Sequence, residues 1–261
     1  YMKNELLKYL HYVTPRQVFV TGTPQFESHF NNDLLQSREV FFKDNNYDEV
    51  YGREEMKGNL KDTEMNYWGL YDDDLFRLVK AKLIQLHAQQ QPFNITLTTI
   101  DTHGPGGHYS KYCKARGVKD FEGIVECTSN QVTEFVNFMS KHGYLKDTKV
   151  IILGDHLAME NPVSSKLWTI KERHIFNRFI SNTDISKNRE NIVPFDLFPT
   201  ILEFIGFKVE GGKLGLGYSA ISKDVVLPPV DEYENMNENL LNKSDQYLEL
   251  WSIKHTDKHL K

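Results

Sequence analysis

Asp155 and His156 stand side by side after the run Lys149-Val150-Ile151-Ile152-Leu153 and a single glycine, Gly154. Asp101 and His103 stand in Asp101-Thr102-His103-Gly104-Pro105, after the β-branched run Asn94 to Ile100. A carboxylate beside an imidazole offers one oxygen and one nitrogen ligand, a set suited to Zn²⁺ or Mn²⁺. The glycine lets the backbone turn sharply and an ion approach. Taken alone, each cluster has a plainer explanation: Asp155 can cap a following helix with His156 in the core, and Asp101 can bond the amides of its own loop. Two such clusters on one edge of one sheet outweigh that explanation. The chemistry is then a metal at Asp155 and His156 with an anion-binding histidine, His103, nearby.

The elements that must position these residues are legible in part. Lys149 to Leu153 is near-continuously apolar, as in a strand buried on both faces. Gln17 to Thr21 and Asn94 to Ile100 read as further strands, and another falls near His174 to Ile180. Asp72, Asp73 and Asp74 open a helix that carries Leu75, Leu78, Val79, Leu83 and Leu86 to about Gln90. Thr128 or Ser129 caps a second through Val132, Phe135, Val136 and Met139, stopped at Gly143. Asp196 opens a third, with Pro199 in its first turn and Gly206 at its end. Residues 3 to 12 form a short amphipathic helix, and 25 to 70 an irregular surface region. Residues 223 to 261 form a peripheral helix and frayed tail, with Tyr247, Leu248, Leu250 and Trp251 as its apolar patch. Strands alternating with helices predict an α/β fold with a mostly parallel, doubly wound sheet. In such sheets ligands bind beyond the carboxyl ends of the strands.

The 261 residues suffice for one large α/β domain or two small ones. A formal net charge of -5 excludes the basic footprint of a nucleic-acid binder. No apolar run approaches the roughly 20 residues of a membrane span, and Tyr1-Met2-Lys3-Asn4 has no signal-peptide pattern. Cys113 and Cys127 lie in a polar stretch between regular segments without a zinc-type spacing. They read either as a short-loop disulfide or as two free thiols.

The segments TTIDTHGP (98–105), ILGDHLAM (152–159) and IVPFDLFPTILEFIGF (192–207) resemble the sulfatase and alkaline-phosphatase superfamily. Within it they are most similar to the periplasmic phosphoglycerol transferases that decorate membrane-derived glucans, with lipoteichoic acid synthases and lipid A phosphoethanolamine transferases as cousins. The likeness runs from about residue 16 to 222, with Gly215-Leu216-Gly217-Tyr218-Ser219 near its end. It implies an alkaline-phosphatase-type sheet incomplete at the N-terminus, with residues 1–222 the C-terminal portion of the α/β domain and 223–261 peripheral.

The resemblance implies that Asp155 and His156 ligate a divalent metal (Mn, Zn or Mg), that His103 binds the transferred group, and that Cys113 and Cys127 pair outside the cytoplasm. Asp196 and Pro199 read as helix start and packing. The family's threonine nucleophile and its acidic metal partner are expected upstream of Tyr1, since Tyr1 to Pro15 offers neither. The function implied is transfer, or hydrolysis, of a phosphoglycerol-type headgroup from a phospholipid to a glycan. It would take place outside the cytoplasm, with an inner-membrane anchor beyond this chain, and the isolated chain would be inactive. The competing expectations are a non-catalytic domain that binds anionic headgroups, and a sulfatase or phosphodiesterase acting on a soluble ester.

Overall fold

The computed structural model describes residues 17–21, 47–52, 65–66 and 69–245. The expected helix over 3–12 and the apolar patch from Tyr247 to Trp251 lie outside the described residues. The chain divides into two units, 1–184 and 185–261.

In the first unit, β1 (Gln17–Thr21), β2 (Glu49–Tyr51) and β5 (Asn94–Thr98) form a three-stranded parallel sheet in the order β2-β1-β5. Strand β2 falls inside the stretch expected to be irregular: three residues carry too little periodicity to announce a strand. Between them, β3 (Met65–Asn66) and β4 (Gly69–Leu70) make a small antiparallel pair. Helix α1 (Asp72–Ala88) follows and buries Leu75, Val79, Leu83 and Leu86, one face at helical spacing. Leu70 joins that face, and Ile95, Leu97 and Phe135 pack against it, so the helix is held to both the sheet and its neighbour.

That neighbour, α3 (Phe121–Lys141), follows the short α2 (Lys111–Ala115). The expected cap at Thr128 or Ser129 is corrected: the side chain of Asp120 caps α3 by accepting the amide of Gly123 at 2.8 Å. Thr128 is buried in mid-helix, and the inner face runs Phe121, Ile124, Cys127, Gln131. The first two turns carry Gly123 and several polar residues, which masked the period. Both cysteines therefore sit in helices rather than in a connecting loop, and Cys113 and Cys127 are joined as a disulfide.

Strand β6 (Val150–Leu153) pairs antiparallel with β7 (Asn177–Ile180), and between them lies the single-turn helix α4 (Ser164–Leu167). Two expectations change here. Among the described residues β6 is not hydrogen-bonded to the parallel sheet, and it is half-buried, with Leu153 39% exposed. An apolar run alone cannot say which neighbours cover it.

The second unit is built on α5 (Pro194–Ile205), followed by the hairpin of β8 (Lys213–Leu214) and β9 (Gly217–Tyr218), then α6 (Val230–Leu240). Helix α5 starts two residues before Asp196, with Pro194 as its first residue, and ends at Gly206 as expected. Asp196 is 1% exposed. It accepts the amides of Val193 at 3.0 Å and Tyr218 at 2.7 Å, and it pairs with Arg189 at 2.9 Å. A Cβ on Gly217 would lie 1.9 Å from the carbonyl oxygen of Phe195, so the hairpin can cross the helix start only as glycine.

Candidate active site

The loop that carries His103 is held from below by helix α1. Asp72, its first residue, is fully buried and accepts the amides of Ile100 at 2.7 Å and Asp101 at 3.2 Å. Asp73 accepts the amide of Tyr112 at 3.1 Å and so fixes the start of α2. The acidic first turn, legible in sequence as dipole compensation, thus also ties down the strand exit and the next helix.

Within the loop, His103 donates its amide to Ile100, Gly107 to His103 and His108 to Asp101, at 2.9, 3.0 and 2.7 Å. Gly107 has φ +71°, and a Cβ there would lie 2.8 Å from Ile124 Cδ1 and 3.0 Å from the Asp101 carbonyl. The loop therefore closes tightly on α3. His103 Nδ1 lies 2.8 Å from the Gly104 carbonyl. A carbonyl only accepts, so Nδ1 carries the proton and Nε2 of the neutral ring keeps its lone pair.

Asp101 does not bond the amides of its own loop; that role belongs to Asp72. Its carboxyl is fully buried, and neither oxygen has a hydrogen-bond partner of good geometry among the described residues. Burial and then the Asp72 charge push it up to about 9, only partly offset by the nearby Asp72 amide and Ser110 hydroxyl. Burial likewise raises Asp72 to about 6. Burial, then the neighbouring His103, lowers His108. The sequence singled out Asp101 without Asp72. A contact across 29 residues leaves no local signal.

Asp155 and His156 leave β6 into an open turn. No helix begins at them and both are exposed, which disposes of the cap-and-core explanation. Asp155 Oδ1 accepts the amide of His156 at 2.9 Å, and His156 Nδ1 donates to the Leu157 carbonyl at 2.8 Å. This leaves Asp155 Oδ2 and His156 Nε2 facing one another at 3.6 Å. An imidazole that donates one ring N–H to a carbonyl and presents its other nitrogen is set up as a metal ligand. The oxygen-plus-nitrogen donor set fits a divalent ion as half of a shell. Among the described residues, no group of three or more His, Cys, Asp or Glu forms a complete one.

Among the described residues the two exits do not share one hydrogen-bonded sheet, since β5 belongs to the parallel sheet and β6 to the antiparallel pair. They meet through their loops instead. A Cβ on Gly104, next to His103, would touch the carbonyl oxygen of Glu160 at 3.4 Å. The His103 loop thus packs on the segment that continues from Asp155 and His156.

A family model described as Sulfatase matches residues 25–207. Phosphoglycerol transferase I of Escherichia coli (strain 55989 / EAEC) is 29% identical over 233 residues, covering 85% of this chain and 29% of that protein. The Salmonella newport protein of the same name is 28% identical over the same length. The chain therefore spans less than a third of the curated relatives it matches. Among solved structures, the lipoteichoic acid synthase LtaP from Listeria monocytogenes superposes with a TM-score of 0.55 at 16% identity, over 84% of this chain and 55% of that one. A protein in the alkaline phosphatase superfamily from Vibrio parahaemolyticus gives 0.51 at 21% identity, over 77% and 46%. These likenesses show the fold.

Proposed function

The chain belongs to the sulfatase family, and from that premise we propose that it supplies the metal-binding and headgroup-binding part of a phosphoglycerol-type transfer site. The observation that carries the reading is the pair formed by Asp155 Oδ2 and His156 Nε2, open to solvent at 3.6 Å and beside the His103 loop. A divalent ion (Mn, Zn or Mg) held there would neutralise charge on phosphate oxygens and lower the pKa of an attacking hydroxyl. His103 binds the phosphoryl oxygens when its ring is protonated, or takes a proton at Nε2 when it is neutral. The hydrogen bonds that close its loop keep the ring in place.

The nucleophile, a threonine, lies in this reading on sequence beyond the 261 residues. The donor is a phospholipid headgroup and the acceptor a glycan hydroxyl, or water when the outcome is hydrolysis. The phosphoglycerol transferases at 28–29% identity support this substrate class. The Cys113–Cys127 disulfide supports a site outside the cytoplasm. Among the described residues no helix is long and apolar enough to cross a membrane, and in this reading the anchor also lies beyond the chain.

The test is titration of the chain with Mn²⁺, followed by paramagnetic broadening of its histidine ring signals. Selective broadening of His156, abolished by Asp155→Ala, is the expected result. Intact His156 signals at saturating Mn²⁺ and no response to Zn²⁺ would remove the metal site. A second reading, a domain that binds anionic headgroups without turnover, is favoured by the lack of a complete shell among the described residues. It predicts glycerophosphate binding at His103 that metal does not alter.

A further inference from the structure

We propose that His174 is a second phosphoryl-binding histidine, set across the chain from Asp155 and His156 to bond an oxygen of the group that their ion would hold. The inference rests on the reading that those two residues ligate a divalent metal beside a phosphate ester, and it adds a residue to that site.

Two crosslinks place His174. Strands β6 and β7 pair antiparallel in a register whose last step sets Leu153 opposite Asn177. The pairing runs one residue further, because the Gly154 amide donates to the Phe176 carbonyl at 2.8 Å. Beyond it, the Arg173 guanidinium donates to the Ala158 carbonyl at 2.9 Å. Between these two bonds lie Asp155, His156 and Leu157 on one segment, and His174 and Ile175 on the other. Opposed residues of an antiparallel pair have Cα atoms about 4.5–5.5 Å apart. Two short segments pinned at both ends therefore stay within side-chain reach of one another.

The two residues of the second segment divide their roles. Ile175 is half-buried, and its Cγ2 lies 2.9 Å from where a Cβ on Gly154 would stand, so it takes the inward place. His174 is exposed, as are Asp155 and His156. The His103 loop meets the same stretch at Glu160, through Gly104. The turn that presents Asp155 and His156 thus has His174 alongside it and the His103 loop at its downstream end.

The donor set fixes what His174 does there. Among the described residues, no group of three or more His, Cys, Asp or Glu could hold a metal ion, so His174 is not a third ligand beside Asp155 and His156. A residue next to an ion but not on it meets what the ion binds. A phosphodiester carries two non-bridging oxygens, and charge that the ion does not reach is stabilised by fixed hydrogen-bond donors. An imidazole has a ring N–H in either tautomer, so His174 can donate to such an oxygen whether neutral or charged. Its neighbour Arg173 is turned to the Ala158 carbonyl, where it closes the bracket.

The test is calorimetric titration of the chain, at saturating Mn²⁺, with glycerol phosphate. His174→Ala should leave Mn²⁺ affinity unchanged and weaken glycerol phosphate binding by about tenfold or more. In the native chain loaded with diamagnetic Zn²⁺, glycerol phosphate should shift the His174 ring signals. The side chain is exposed, so the variant should fold, with circular dichroism as the check. Glycerol phosphate affinity indifferent to His174→Ala, or unmoved His174 ring signals, overturns the proposal and leaves the metal reading standing. Loss of Mn²⁺ affinity in His174→Ala overturns it too, by making His174 a metal ligand. A native chain that binds Mn²⁺ at His156 but not glycerol phosphate removes the proposal alone; one that binds no metal there removes both.

Discussion

Asp72 and Asp101 bury two carboxyl groups side by side at the exit of β5, and among the described residues Asp72 accepts two backbone amides while neither Asp101 oxygen accepts one at good geometry. Asp101, pushed up to about 9 by burial and then by Asp72, keeps its proton through neutral pH. In the unfolded chain the same group ionises near ~3.9. Below that value both states are protonated and the site costs nothing through titration. As pH rises from about 4 to about 9, only the unfolded state gives up its proton, so stability falls, and the loss is complete above about 9. Asp101→Asn removes this titration. It should gain on the order of a few kcal/mol over the native chain near pH 8 and little near pH 4, read from urea unfolding across that range. A gain of equal size at both ends would show that ionisation is not the cause.

The sequence made the strand exits legible because glycine, acid and histidine cluster where an apolar run stops. It also made α1 legible through Leu75, Val79, Leu83 and Leu86 at helical spacing, and α5 through Asp196 near its start and Gly206 at its end. What it hid was tertiary. Nothing local marks Asp72 as the clamp on Ile100, and nothing in Val150 to Leu153 tells a strand inside a parallel sheet from one in a separate antiparallel pair. A cap at Thr128 or Ser129 would start helix α3 more than two turns late, because Asp120-x-x-Gly123 looks like a loop until Phe121, Ile124 and Cys127 are seen to share a buried face.

Gly107 tests how tightly the His103 loop must close. Its φ of +71° strains any other residue, and an added methyl meets Ile124 Cδ1 at 2.8 Å and the Asp101 carbonyl at 3.0 Å. Gly107→Ala should cost about 1–3 kcal/mol and shift the His103 ring signals. An alanine variant with native stability and unmoved His103 resonances would mean that the loop is not set by this contact.

Asp155 and His156 should behave in the opposite way. Their hydrogen bonds reach only their immediate neighbours and their side chains are 86% and 56% exposed, so Asp155→Ala and His156→Ala should change stability by no more than about 0.5 kcal/mol. Each should nevertheless abolish Mn²⁺ binding in calorimetric titration. Variants that unfold would make the pair structural.

The Cys113–Cys127 bond closes a loop with a sequence separation of 14 and ties α2, with the end of the His103 loop, to α3. Chain-entropy arguments put a loop of this size at about 3 kcal/mol. Cys113→Ser with Cys127→Ser should lower stability by that order and raise amide exchange through Ser110, whose hydroxyl accepts the Cys113 amide at 3.2 Å. Unchanged exchange around Ser110 would confine the bond's effect to the unfolded chain.

Arg189 and Asp196 give the sharpest test in the second unit, because the pair is nearly dry: their side chains are 13% and 1% exposed. Arg189 also donates to the carbonyls of Tyr218 and Ser219, so one guanidinium ties the start of α5 to the end of the hairpin. Arg189→Ala leaves Asp196 charged and buried with only its two amide donors, and a buried ion pair broken on one side costs about 3–5 kcal/mol. Asp196→Asn is no remedy. Both carboxylate oxygens accept an amide, from Tyr218 and from Val193, so one face of the new side chain would set an NH₂ against an N–H. Chemical unfolding should therefore rank Asp196→Asn close to Arg189→Ala. An asparagine variant as stable as the native chain would show that the helix start requires neither the charge nor the double acceptor.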